Sequence, residues 1–150
     1  MIKNKEGKMR KISVLLSFCI LFVSACGYDS GNSKNLLIVV TTDDPVTQLM
    51  SMVLADRSIK KGATVDMLLC GSAGSLAVKD SAEVFLKPQN TSPQMMLKNL
   101  IQQNVNVELC PLYLSNSEKS ISNLIDGVSV AKPCRIADKL LNEKTKILSY

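Results

Sequence analysis

No histidine occurs anywhere in the 150 residues. Without an imidazole there is no Ser-His-Asp triad, no Cys-His dyad, no His-liganded zinc and no haem on a proximal His. Tryptophan is also absent, and aromatics make up only 4% of the chain. Stacking platforms for single-stranded nucleic acid are therefore not expected. The remaining chemical repertoire is thiol, carboxylate, amine, hydroxyl and backbone groups. A 46% hydrophobic, 21% charged composition suits one compact domain with a real core. There are five cysteines, and the formal net charge is +5.

The N-terminus carries Lys3, Lys5, Lys8, Arg10 and Lys11 against a single acid, Glu6. Fourteen uncharged residues follow, Ile12 to Ala25. A basic segment before a short apolar run is the secretory leader pattern. The run is too short for a spanning helix, which needs about 20 residues. It ends Val23-Ser24-Ala25-Cys26, which resembles the lipobox of bacterial lipoproteins. The resemblance implies a leader over residues 1–25 and a lipid on Cys26, anchoring the chain to a membrane. Val in place of the commoner Leu is a departure from that pattern, and an ordinary leader cleaved at an A-x-A-like site is the alternative. Gly27 rather than Asp after the cysteine implies, in a two-membrane bacterium, the periplasmic side of the outer membrane. Residues 26–35 are polar and rich in Gly, Ser and Asn, and read as a flexible tether.

The leader also explains the charge. Residues 1–25 hold five bases and one acid, leaving 13 bases and 12 acids in the rest. The remaining domain is close to neutral, and the reason to expect a nucleic-acid partner disappears.

Residues 36–150 alternate strand and helix signals. Leu36–Val40 is a continuous apolar run, as in a strand covered on both faces. Asp44-Pro45 is a helix start, with Asp as N-cap and Pro at the first helical position. Val46, Leu49, Met50, Val53 and Leu54 have the spacing of one buried helix face. Gly62 fits the position just past the helix end. Thr64–Cys70 is the second strand, followed by Gly71-Ser-Ala-Gly74. Ser75 to Asn90 gives no firm signal. Thr91-Ser92-Pro93 opens a helix to about Gln103, and Val105–Leu109 is a strand whose alternation suggests one exposed face. Ser115 and Glu118 form a capping-box pattern before a short helix. Val128–Ala131 is a fourth strand, and Pro133 opens a helix with Ile136, Leu140 and Leu141 inward. Lys146–Tyr150 is the fifth strand. This order predicts an α/β three-layer sandwich around a five-stranded, mostly parallel sheet.

Ligands of open α/β sheets bind beyond the carboxyl ends of the strands. Cys70 ends the second strand, Cys110 ends the third, and Cys134 lies just past the fourth. A thiol near a helix N-terminus is acidified and becomes a nucleophile. Equally, Cys is often just a small buried hydrophobe. Cys110, next to Pro111, is the stronger candidate for chemistry. Cys70, inside an apolar run, fits the buried role better, as does Cys134 to a lesser degree. Asp43 and Asp44 occupy the first strand-to-helix turn. Two carboxylates there repel phosphate, so a dinucleotide site is not expected; capping is a better account of them than cation binding. No C-x-x-C pair is present, and no metal site or cofactor is expected.

Three stretches resemble the DsrE/DsrF-like family, which includes sulfur-relay subunits. They are Leu36-Leu-Ile-Val-Val-Thr-Thr42, Leu97 to Cys110, and Leu124-Ile-Asp-Gly-Val-Ser-Val-Ala131 through the last helix to Ile147-Leu-Ser-Tyr150. The resemblance spans residues 36–150. It implies a small five-stranded α/β domain, often assembled as trimers or hexamers. In sulfur-carrying members the cysteine after the third strand takes up sulfane sulfur as a persulfide; the matching residue is Cys110. Cys134 or Cys70 would then be a resolving or accessory thiol, and sulfur donor and acceptor proteins would be partners. The relay members are cytosolic, whereas this chain carries an export signal. Two readings follow: an envelope-anchored sulfur carrier or sulfurtransferase-like protein, or a non-enzymatic ligand-binding or oligomeric module with structural cysteines. A third, in which the three strand-end thiols hold copper(I) or zinc, is weakened by their wide sequence spacing.

Overall fold

The computed structural model of the protein describes residues 34–150. The leader, Cys19, Cys26 and most of the tether lie outside the described residues. Five strands form one sheet: β1 (Asn35–Val40), β2 (Thr64–Leu69), β3 (Asn106–Leu109), β4 (Val128–Val130) and β5 (Thr145–Ser149). Every pairing is parallel, and the order is β4-β3-β2-β1-β5. Four α-helices connect them: α1 (Pro45–Lys60), α2 (Pro93–Gln102), α3 (Pro111–Asn116) and α4 (Pro133–Leu140).

The strand order decides which face each helix covers. The chain steps from β1 through β2 and β3 to β4 in one direction, then returns to place β5 on the far side of β1. Right-handed crossovers, the nearly universal hand, put helices of opposite steps on opposite faces. The side chains agree. Ile38, Val40, Met67, Leu69, Val107 and Leu109 point into the larger core with residues of α1 and α2. Leu37 and Leu68 point the other way, into a small cluster with Ile136 of α4. One face thus carries a thick helical layer, and the other is covered mainly by eight-residue α4.

The starts of α1 and α2 are as the sequence predicts. The Asp44 carboxylate accepts from Thr47 N at 2.7 Å, and Ser92 Oγ accepts from Met95 N at 3.0 Å. Gly62 takes a left-handed φ of 82° just past α1. The unassigned stretch after β2 begins with a 3-10 helix, Gly71–Ala77, and continues largely as turns.

Four details depart from expectation. The buried face of α1 is Gln48, Ser51, Met52, Ala55 and Asp56, while Val46, Met50 and Leu54 lie exposed. Small Ser51 and Ala55 let α1 approach its neighbours closely, and this packing overrides the apolar periodicity. In α4, only Ile136 is buried; Leu140 and Leu141 are exposed, because so short a helix reaches the sheet with one turn. The capping box belongs to Ser120 and Asn123 at a 3-10 helix, Ile121–Asn123, while Ser115 lies inside α3. β3 is also covered on both sides, with Glu108 buried.

Glu108 tolerates burial because it is paired. Lys139 Nζ of α4 lies 2.7 Å from Glu108 Oε2 and 2.8 Å from Asp66 Oδ1. Asn106 Nδ2 donates to both carboxylates, at 3.0 and 2.9 Å. A charge removed from water needs partners of this kind. The cluster ties α4 to β2 and β3.

Candidate functional site

Side chains alternate faces along a strand, so residues two apart share a face. On β2, Asp66 and Leu68 face α4, and Cys70 continues that row. On β3, Asn106 and Glu108 do the same, and Cys110 continues it. The parallel register pairs Leu69 with Leu109, so Cys70 and Cys110 come next to each other just past the strand ends. The ladder persists there: Cys70 N donates to Val40 O and Cys110 N to Leu69 O, both at 2.9 Å. Neighbouring parallel strands run about 4.8 Å apart, which brings the two sulfurs together.

The two thiols open into an apolar groove of about 230 Å³. Leu68, Ala131, Pro133 and Ile136 form part of its walls. This position follows from topology. The chain leaves β3 toward α3, which packs on the α1–α2 face through Tyr113 and Leu114. It leaves adjacent β4 toward α4 on the opposite face. Connections that diverge from neighbouring strands leave a crevice at their carboxyl ends, and Cys110 sits at its edge.

Both cysteines are half-buried and free. Burial, followed by the effect of the adjacent Cys110, pushes the Cys70 thiol up to about 11. Cys70 is therefore protonated at neutral pH and can donate its S–H to the neighbouring sulfur. Cys110 is the residue before α3, whose first position is Pro111. The loops that carry the two thiols are braced together. The Tyr113 ring of α3 lies against Gly74 in the 3-10 helix after Cys70, where any β-carbon would collide with it. The glycine is needed for this close approach.

Cys134 is placed differently. It is exposed and absent from the groove wall, although Pro133 and Ile136 on either side line it. Pro133, Ile136, Ala137 and Leu140 follow helical spacing on the groove side, and Cys134 falls off that row. The three strand-end cysteines thus resolve into a pair and an outlier. Among the described residues, no three Cys, Asp or Glu side chains converge in the manner of metal ligands. The walls contributed by Ala131 and Ile136 have no chemical signature in sequence; only the crossing of α4 brings them to the thiols.

No family model matches the chain, and no curated protein matches it by sequence. Solved structures do. The ychN protein from E. coli superposes with a TM-score of 0.62 at 23% identity, over 79% of this chain and 99% of that one. MTH1491 from Methanobacterium thermoautotrophicum, titled a protein of unknown function, gives 0.60 at 16% identity, over 78% of this chain and 99% of that one. At these identities the likeness concerns the fold. The five-stranded parallel α/β architecture implied by the sequence resemblance is the one adopted, and both solved structures share the fold.

Proposed function

We propose that this protein is a thiol-based sulfur carrier in which Cys110 holds sulfane sulfur as a persulfide. The observation that carries the reading is the pairing of Cys110 with Cys70 in an apolar groove at the carboxyl edge of the sheet. The Cys110 thiolate attacks the outer sulfur of a donor persulfide, R–S–SH. A bond forms between Cys110 Sγ and that sulfur, the donor S–S bond breaks, and R–S⁻ leaves. The product is Cys110–S–SH, and no external oxidant or reductant is required. The apolar walls shield the carried sulfur from water and bulky thiols.

Cys70 is the accessory thiol. Attack by its thiolate on Cys110 Sγ would form a Cys70–Cys110 disulfide and expel hydrosulfide. Burial, the larger cause of its raised pKa, keeps the Cys70 thiol protonated at neutral pH, which suppresses this loss. Cys134 lies off the groove and has no part in the transfer.

The N-terminal sequence supports export and a lipid anchor at Cys26, and with them an envelope location for the carrier. The exposed α1 row of Val46, Met50 and Leu54 supports self-association, since contiguous apolar surface marks contact sites. The test is intact mass after incubation with a small-molecule persulfide. One added sulfur, about 32 Da, is expected on the wild-type chain and on Cys134→Ser, and none on Cys110→Ser. Equal uptake by Cys110→Ser overturns the assignment. A groove cysteine inert to both persulfide and alkylating reagent would favour the alternative, a binding or oligomeric module with structural thiols.

A further inference from the structure

A second groove, of about 290 Å³, lies on the opposite face of the sheet from the thiols. The β1–α1 turn, the segment after β2 and the start of α2 enclose it. Its polar lining includes Asp43, Gln48, Ser75, Ser81, Glu83 and Gln94.

The donor groups of this lining are already engaged. Gln48 Nε2 donates to Thr42 O at 2.8 Å. Gln94 Nε2 donates to Val78 O at 2.9 Å and Leu76 O at 3.2 Å. Ser75 Oγ donates to Ser72 O at 2.9 Å, and Ser81 Oγ to Ser75 O at 2.8 Å. The two helix starts offer an anion little. Both have proline at the first position, and the N–H groups of Thr47 and Met95 are taken by Asp44 and Ser92.

The acceptors, by contrast, are unused. Gln48 and Gln94 are only 5% and 4% exposed. Each turns its NH₂ to backbone carbonyls, which fixes the amide orientation and points the carbonyl oxygen away from them. Neither oxygen accepts a hydrogen bond from a described residue, yet neither is sealed from solvent: among the described residues, the one side-chain polar atom both buried and unpartnered is Ser117 Oγ, outside this groove. Both side chains line the groove, which is the solvent-filled space they share. Two nearly buried amide oxygens without a donor are costly unless a ligand or water supplies one. Glu83 is occupied by Ser92 and Lys98. Asp43 has no ion-pair partner among the described residues and leaves one unmatched negative charge at the rim.

We propose that this groove binds a small organic ammonium. An alkylammonium brings three N–H donors and one positive charge. Gln48 Oε1, Gln94 Oε1 and the Asp43 carboxylate provide three acceptors and the compensating charge. Pro45, Leu76 and Val84 give the alkyl part an apolar wall. This site is independent of the thiol pair.

The test titrates n-butylammonium into the isotopically labelled full chain, following the Gln48 and Gln94 side-chain amides by NMR. Saturable shifts of both amides are expected with butylammonium, and none with 1-butanol or butyrate. Cys110→Ser should bind as the wild type does. Gln94→Met should weaken binding roughly tenfold or more, as loss of a hydrogen bond to a charged group does. Asp43→Asn, at an exposed position, should weaken it roughly two- to fivefold, and decides the matter if the glutamine variant does not fold. No saturable shift, equal binding of 1-butanol or butyrate, displacement by calcium at lower concentration, or unchanged affinity in Asp43→Asn would each overturn the proposal.

Discussion

At the scale of single residues, reactivity divides the cysteines. Cys134 is exposed, whereas Cys70 is half-buried and its thiol is pushed up to about 11. Alkylation followed by peptide mass mapping at neutral pH should therefore modify Cys134 well before Cys70. The Cys70 rate should climb about tenfold per pH unit and level off near 11. Replacing Cys110 by Ser should lower that midpoint only in part, because burial is the larger cause and remains. Gly74 offers a second test at this scale. Gly74→Ala forces the Tyr113 ring to move, and such overpacking costs about 1–3 kcal/mol. A fall in Tm of about 4 °C per kcal/mol is expected for a domain of this size. Cys110 reactivity should change with it, since Tyr113 holds α3 in place.

At the scale of elements, α1 separates packing from patterning. Met52 is fully buried and Met50 is half exposed, though both belong to an apolar-looking helix. Met52→Ala should cost about 2–5 kcal/mol. Met50→Lys should change the stability of a monomer by no more than about 0.5 kcal/mol. If α1 meets a second copy, Met50→Lys should instead lower the sedimentation coefficient of the assembly. α4 depends on charge as well as on Ile136. Lys139→Met leaves Asp66 and Glu108 facing one another without a cation, at a cost of about 1–3 kcal/mol in urea unfolding. The helices also show where sequence patterns are ambiguous. A period of 3.6 identifies an amphipathic helix, but Gln48, Ser51 and Asp56 face inward because small side chains and local hydrogen bonds make that face the closer fit.

At the scale of the whole molecule, stability should vary with pH at both extremes. For Lys139, burial lowers the pKa, but the bonds and charges of Asp66 and Glu108 outweigh it and leave it raised. Its contribution is complete below the ordinary lysine value and is lost as pH rises through the higher folded value. Cys70 acts in the same direction: its folded state resists ionisation, so stability falls from about pH 9.0 toward 11. Asp56 has its carboxyl held low, first by the hydrogen bond from Lys60. Its contribution is present above the ordinary aspartate value and is lost as pH falls through the folded one. Urea midpoints measured from acid to alkaline pH should show a plateau bounded by these two losses, with the alkaline loss reduced in Lys139→Met.

The alternation of strands and helices, the capped starts of α1 and α2 and the strand-end positions of Cys70 and Cys110 were determined by sequence, because they depend on neighbours a few residues away. Turn chemistry, β-branched runs and N-caps act locally. The three-dimensional structure alone decided that Cys70 faces Cys110 while Cys134 does not join them. That outcome depends on strand order, on a parallel register that aligns residues 40 apart, and on the two-residue period that puts both sulfurs on the α4 face. The same long-range placement turned two ordinary glutamines into the walls of a groove. With no histidine in the chain, nucleophilic chemistry at the sheet edge falls to the thiol pair.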